Sequence, residues 1–92
     1  MKSIINNDKE CYICGHLYPH KHHIYGGANR SISEKNGFWV YLCSYHHNMS
    51  DQGVHFNKAL DLELKRLCQS EYEKTHTREE FMKLIGKNFL EN

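Results

Sequence analysis

Two short ligand motifs, Cys11-x-x-Cys14 and Cys43-x-x-His46, constrain the fold of this chain more than any other feature. Two ligands spaced by two residues can hold one ion from a tight turn, for which Gly15 is well suited. A second such pair completes a tetrahedron and leaves no open position, so the spacing predicts a structural zinc site. The alternative, that these are only small core residues, is disfavoured because paired cysteines in a small intracellular chain usually bind metal.

The length of 92 residues predicts one domain, 1–92, with a metal-rich part at 11–55 and a helical extension at 56–92. A domain of this size buries only roughly 60–65% of its unfolded surface and often needs a staple. The first eight residues lack the apolar core of a signal peptide, and no apolar run approaches the ~20 residues that span a bilayer. We therefore expect a cytoplasmic protein with reduced cysteines and no membrane contact. A net charge of +1 means that nucleic-acid binding would need a local site.

The metal-rich part is expected to contain two strands and a short helix. Residues 38–42 are aromatic and β-branched and predict a strand, with residues 21–25 as its partner. The stretch between them, 26–37, is expected to be an irregular loop of functional length. Residues 44–49 predict a short helix after the second strand.

Two longer helices are expected after the metal-rich part. Asn57 is a candidate N-cap for a helix that runs to about Lys74. Thr77 and Glu80 form a capping-box pattern for a second helix, which ends at Gly86. The apolar positions predicted to face the core are Leu60, Leu64, Leu67, Cys68 and Tyr72 in the first helix, and Phe81, Met82, Leu84 and Ile85 in the second. Cys68 is thus interpreted as a buried core thiol.

Four further histidines suggest a second metal site: His22, His23, His47 and His55. The structural zinc would bring His47, which follows a zinc ligand, close to the first strand. Neighbours on a strand point to different sides, so one of His22 and His23 can face an ion while the other faces an attacking water. A neutral imidazole can take a proton from water, and a divalent ion can bind the scissile phosphate. The alternative is that these are surface or packing histidines.

The order Cys-x-x-Cys, His-His-Ile with Gly-Gly, and Leu-Cys-x-x-His-His resembles the small zinc-containing HNH endonucleases of bacteriophages and prophages, over residues 11–55. The resemblance implies an α+β, treble-clef-like ββα-metal core, here followed by two C-terminal helices. It also implies that His22 and His47 bind the catalytic ion and that His23 is the general base. The ion would be Mg²⁺ or another divalent ion such as Mn²⁺, Ni²⁺ or Zn²⁺.

The chain departs from the HNH pattern at two positions. The central Asn of the family, which braces the loop between the strands, is replaced by Phe38, and Asn36 or Asn29 is expected to take over that role. Where some members have a further helix histidine this chain has Asp51, so either Asp51 or His55 completes the site. We favour His55, because the glycine two residues before it would let the chain fold back.

The remaining candidates are assigned by their setting. Arg30 and Asn36 are candidate substrate contacts, since a guanidinium can grip a phosphate with its fork of donors; a solvated Arg30 is the alternative. Three histidines are expected to face solvent, with a phosphate contact as an alternative for the second: His16, His20 and His76. Three aromatic residues are expected to pack in the core or against the strands: Tyr25, Trp39 and Tyr41.

Three functions are compatible with this pattern. The first is a metal-dependent DNA endonuclease or nickase, acting as a homodimer or within a larger phage or host complex. The second is a non-catalytic zinc module that binds nucleic acid or protein, which leaves the second histidine group unexplained. The third is a regulator encoded by a mobile element that retains an inactive nuclease core.

Overall fold

A computed structural model of the chain describes residues 2–47, 53–54 and 57–90. Its elements are two strands, four helices and one 3-10 turn: β1 (His20–His23), the turn (Gly27–Asn29), α1 (Arg30–Asn36), β2 (Trp39–Leu42), α2 (Ser44–His47), α3 (Lys58–Tyr72) and α4 (Arg78–Ile85). The fold is therefore a small mixed α/β arrangement. None of these helices has both the length and the apolar character needed to cross a bilayer.

The two predicted strands form an antiparallel pair. His22 lies opposite Val40 and His23 opposite Trp39. The first strand begins one residue earlier than predicted and ends at His23, because Ile24 and the residue after it turn into the core and are buried. The Ile24 N–H still donates to the carbonyl of Phe38 at 2.9 Å, at the end of the strand pair where the connecting segment begins.

The expectation of an irregular loop over 26–37 is wrong, because this stretch contains the 3-10 turn and helix α1. Seven residues are too few for a recognisable apolar stripe, and a helix this short depends on its packing. The buried Ser33 supplies part of that packing, since its hydroxyl accepts from the Tyr25 N–H at 3.2 Å and donates to the Tyr25 carbonyl at 2.7 Å. Gly37, at φ +74°, ends the helix in the left-handed conformation.

The N-terminal segment packs against this same corner. The Ile4 N–H donates to the Gly37 carbonyl at 3.0 Å, and the Ser3 hydroxyl donates to the Trp39 carbonyl. A Cβ placed on Gly37 would lie 2.2 Å from the carbonyl oxygen of Lys2. Only glycine therefore allows both the turn and the close approach of the N-terminal backbone.

The predicted helices α3 and α4 are confirmed, together with their caps. The Asn57 side chain accepts from the Leu60 N–H at 3.1 Å, although α3 ends at Tyr72, two residues before the predicted end. Thr77 accepts from the Glu80 N–H at 3.1 Å, and its own N–H donates to the Glu80 carboxylate at 2.9 Å, which completes the capping box. The helix ends at Gly86 as predicted, at φ +85°.

One buried cluster joins the hairpin to these helices. Phe38 and Phe81 are fully buried with ring centroids 6.1 Å apart, and the Tyr25 ring packs edge-on against both. The Tyr25 hydroxyl donates to the Lys65 carbonyl at 2.7 Å. Cys68 is fully buried, as expected of a core thiol. Among the other predicted core positions of α3 and α4, Leu64 and Ile85 are buried, Leu60, Leu67, Tyr72 and Leu84 are partly buried, and Met82 is exposed.

Candidate metal centre and histidine pocket

The first ligand pair lies in a tight backbone turn. The Gly15 N–H donates to the Cys11 carbonyl at 2.8 Å, and the Cys11 N–H donates to the His16 carbonyl at 2.9 Å. Gly15 has φ +77°, so the glycine after the second cysteine is used as the sequence suggested. A bond of 2.8 Å from the Tyr12 N–H to the Tyr41 carbonyl fastens this turn to β2. The turn is thereby held beside the residues that follow the strand.

The four predicted zinc ligands come together. The ligand atoms of Cys11, Cys14, Cys43 and His46 all lie within 4.8 Å of one another. The Cys14 and Cys43 sulfurs are 3.6 Å apart, and the His46 Nδ1 lies 3.3 Å from the Cys43 sulfur and 3.7 Å from the Cys11 sulfur. Zinc bonds of ~2.3 Å to sulfur and ~2.0 Å to nitrogen give tetrahedral edges of about 3.8 Å and about 3.5 Å. These distances match, so the Cys3His cluster can bind a metal such as zinc.

The electrostatics of the cluster favour a cation. Burial opposes ionisation of Cys11, but hydrogen bonds from the backbone of Cys43, Cys14 and Ile13 lower the pKa of its thiol to about 6. At Cys14 a backbone hydrogen bond from His16 favours the thiolate, yet desolvation and the neighbouring sulfurs outweigh it and raise the pKa. The surroundings thus favour the thiolate at Cys11 and oppose it at Cys14. A bound cation compensates adjacent thiolates, since metal ligation requires deprotonated cysteine.

Helix α2 begins directly after Cys43, with His46 in the Cys3His cluster and His47 against β1. The His47 N–H donates to the Cys43 carbonyl at 2.8 Å, so the metal cluster fixes the orientation of this helical turn. The His47 ring lies 5.3 Å from the ring of His22, which is buried, and 5.6 Å from the ring of His20. The approach of His47 to the first strand, expected from the sequence, is therefore present.

His22 and His47, together with His23, line a cavity of about 270 Å³, which we call the histidine pocket. Its lining residues are Lys21, His22, His23, Gly26, Arg30 and His47. Two of them, Lys21 and Arg30, are cationic, which favours binding of a phosphate. The pocket thus combines imidazole groups with positive charge beside the Cys3His cluster.

His23 has a carboxylate partner. Its Nε2 lies 2.7 Å from the Glu34 carboxylate, which also accepts from the Lys21 ammonium at 3.1 Å. The Lys21 ammonium in turn lies 4.2 Å from the centre of the Trp39 ring. Hydrogen bonds from His23 and Lys21 lower the pKa of Glu34. The carboxylate is therefore ionised over the ordinary pH range.

Two other residues that the sequence singled out, Asn36 and Asn29, lie away from the histidine pocket. The Asn36 amide donates to the Ile32 carbonyl at 2.8 Å, and Asn36 lines a separate cavity with Tyr72. The Asn29 amide donates to the Ile85 carbonyl at 3.1 Å and ties the 3-10 turn to α4. The structure brings neither residue into the lining of the histidine pocket. Asp51 and His55, the alternatives for completing the site, lie outside the described residues.

Bracing between the strands is supplied by residues that the sequence analysis did not select. The Phe38 N–H donates to the Ser33 carbonyl at 2.9 Å, and the Ser33 hydroxyl bonds both backbone groups of Tyr25. Phe38, which stands where the HNH pattern has an Asn, is buried and packs in the hydrophobic core. Glu34 was not predicted as a site residue because the stretch that contains it, 26–37, was expected to be an irregular loop and not helix α1. With that helix predicted, a glutamate facing Lys21 and His23 would have been a candidate.

The histidines expected to face solvent are exposed: His16, His20 and His76. His20 is nevertheless close to the pocket, with its Nε2 3.2 Å from the Ser44 hydroxyl. His76 stacks on the Tyr72 ring with the centroids 4.1 Å apart. Tyr25 and Trp39 are buried and Tyr41 is partly buried against Trp39, in agreement with packing roles.

Comparison with protein-family models, with curated proteins and with solved structures finds no match to this chain. The class defined by the fold and the site is therefore a small mixed α/β protein with a candidate Cys3His metal centre and an adjoining histidine pocket.

Proposed function

We propose that this protein is a metal-dependent DNA endonuclease or nickase of the HNH type, held together by a structural zinc at the Cys3His cluster. The observation that carries the proposal is the meeting of His22 with His47, 5.3 Å apart, in a pocket that His23 also lines. A surface or packing role would not require three histidines from two elements around one cationic cavity. The resemblance of residues 11–55 to HNH endonucleases supports the same assignment.

In this proposal the residues divide the work. His22 and His47 hold a divalent ion, together with His55 or Asp51. When bound, that ion supplies charge stabilisation at the scissile phosphate and at the leaving oxygen. His23 takes a proton from the attacking water, and Lys21 with Arg30 orients the phosphate. The two described ion ligands are imidazoles, which suit Ni²⁺ and Zn²⁺ better than Mg²⁺. We therefore expect Ni²⁺ to support cutting better than Mg²⁺.

The experiment is plasmid cleavage by the purified zinc-loaded protein with added Mg²⁺, Mn²⁺ or Ni²⁺. Cutting should require an added ion and should vanish in His23→Ala while zinc content and fold are retained. His76→Ala is the matched control, because it removes an exposed histidine that stacks on α3 and does not line the pocket. Its cutting rate should equal that of the unmodified chain.

Two outcomes would contradict the proposal. Equal loss of cutting in His23→Ala and His76→Ala would indicate a general effect on folding. No cutting with any ion, by a chain that holds one zinc, would favour the non-catalytic module or the regulator. DNA binding without cleavage would then identify a nucleic-acid module.

A further inference from the structure

We propose that Glu34 is the positioning residue that fixes the proton of His23 on Nε2 and leaves Nδ1 as the proton acceptor. This inference rests on the proposed function and names a residue that the resemblance to HNH endonucleases does not supply. Its basis is the contact between the Glu34 carboxylate and His23 Nε2, at 2.7 Å.

The contact determines the tautomer of His23. An ionised carboxylate can only accept hydrogen bonds, so the nitrogen that faces it must carry a proton. In a neutral imidazole the other nitrogen, Nδ1, then holds the lone pair. Carboxylate partners of functional histidines commonly fix ring orientation and raise basicity in this way.

Lys21 keeps the carboxylate in place. Lys21 and His23 are two residues apart on β1 and therefore project from the same face of the strand. Glu34, on α1, accepts from both, with its two oxygens 3.1 and 3.4 Å from the Lys21 ammonium. The lysine cation opposes protonation of the carboxylate, and its packing over Trp39 restricts its motion. Glu34 is thus anchored at a second point, independent of the histidine.

In the proposed cleavage step, His23 acts as the base that activates the attacking water. The water gives one proton to Nδ1 of His23 while its oxygen forms a bond to phosphorus. The bond from phosphorus to the leaving oxygen breaks, and that oxygen takes a proton from solvent. The imidazolium so formed keeps its proton on Nε2 and donates it in a hydrogen bond to the Glu34 carboxylate, whose negative charge stabilises the positive charge. The second proton returns to solvent from Nδ1 after cleavage.

The test combines nitrogen NMR of His23 with DNA cleavage. At a pH where the His23 ring is neutral by its ¹⁵N shifts, those shifts should show the Nε2–H tautomer in the unmodified chain. Glu34→Ala should give a mixture of tautomers and a cleavage rate roughly 10–100-fold lower. Glu34→Gln, which keeps an acceptor oxygen but loses the charge, should retain the tautomer and recover part of the rate.

Two control variants separate positioning from general stability. Glu63→Gln changes an exposed glutamate of α3 outside the histidine pocket and should alter neither the tautomer nor the rate. Lys21→Met removes the other ion pair of Glu34 and should leave the Nε2–H tautomer in place. Zinc content and the amide NMR spectrum should be the same in every variant.

The outcomes are distinguishable. An unchanged tautomer in Glu34→Ala overturns the inference, whatever happens to the rate. A changed tautomer with an unchanged rate also overturns it, because positioning would then have no catalytic consequence. If the unmodified chain does not cut DNA with any ion, the proposed function fails. A tautomer change in Glu34→Ala would even then support Glu34 as the residue that sets the proton of His23.

Discussion

The ligand turn, residues 11–18 of the metal region (residues 11–47), and the helical region, residues 57–90, differ in how far their large apolar side chains are buried. Around the ligand turn large apolar residues stay in solvent, with Leu17 70% and Tyr18 81% exposed. In the helical region the most exposed large apolar side chains, Leu62 and Met82, reach only 37%. Burial can therefore hold the helical region, whereas the ligand turn needs another source of stability. The Cys3His cluster is the candidate for that source.

This difference predicts that the two regions respond to different perturbations. The helical region has caps at both helix starts and a shared aromatic core, which stabilise it without a ligand. The ligand turn is held by backbone hydrogen bonds and by the ion that would join Cys11 and Cys14 to Cys43 and His46. Phe38 and Tyr25 are among the residues through which the two regions meet, since both contact Phe81. Each prediction below tests one side of this comparison.

The largest effect is expected from removing a zinc ligand. Cys43→Ala should lose the bound zinc and unfold the metal region, because apparent zinc-binding energies of about 10–16 kcal/mol in small zinc domains are also folding energies. This binding energy is as large as the whole free energy of unfolding of a typical domain, ~5–15 kcal/mol. Zinc analysis and amide NMR dispersion measure both effects.

Cys68→Ala is the matched control for the loss of a thiol. Cys68 is fully buried in the helical region and is not part of the Cys3His cluster. The variant should keep one zinc per chain and lose only about 1–2 kcal/mol of stability. A folded Cys43→Ala with a full complement of zinc would overturn the comparison between the regions.

The next effect is a loss of stability at alkaline pH. Burial raises the pKa of Cys68 from 9.0 to about 12, so the folded state favours the neutral thiol. The free energy of unfolding is therefore unaffected by this group below about pH 9. It falls as the pH rises from 9 toward 12, by on the order of 4 kcal/mol in all. Burial also raises the pKa of Tyr25, which acts in the same direction at higher pH.

Urea unfolding between about pH 8 and 11 measures this dependence, with the ordinary thiol pKa near ~8.5 as reference. The same series on Cys68→Ala should show a shallower decline, because one of the two buried acids is gone. A decline of equal slope in both proteins would place the alkaline sensitivity outside the helical core.

Two glycine substitutions compare the regions directly. Gly37→Ala should cost more than about 2 kcal/mol, because a left-handed conformation costs an L-residue roughly 1–2 kcal/mol before any steric overlap. The new Cβ would also lie 2.2 Å from the Lys2 carbonyl oxygen. Gly86→Ala has a similar φ, +85°, but nothing within 4 Å, so only the conformational cost remains. Chemical denaturation measures both, and equal losses would exclude the proposed overlap at Gly37.

The sequence predicted features that depend on short spacings. Short spacings define the two ligand pairs of the Cys3His set, the caps at Asn57 and Thr77, and the helix end at Gly86. The structure has the four ligand atoms close together and both caps and the helix end in place. Helix α1 was missed because its seven residues are stabilised by tertiary contacts of Ser33 rather than by a periodic pattern. The failure to predict the partner of His23 followed from that error.

The position of Phe38 illustrates a second limit. The HNH pattern has an Asn at this position, and Asn36 or Asn29 was expected to replace it. In the structure the residue is an anchor of the aromatic core, and the loop is braced by Ser33. A single sequence does not reveal which side chains replace a lost polar contact, because that depends on which elements pack together.

The smallest effect is expected at the capping box of α4. Thr77→Ala removes the acceptor of the Glu80 N–H and should lower the free energy of unfolding by about 1 kcal/mol. Thr75→Ala, an exposed threonine outside the box, is the control and should have little effect. Zinc content should be the same in both, because the cap lies in the helical region. A zinc loss in Thr77→Ala that is absent in Thr75→Ala would show that the helical region controls the ligand cluster, contrary to the separation of forces argued above.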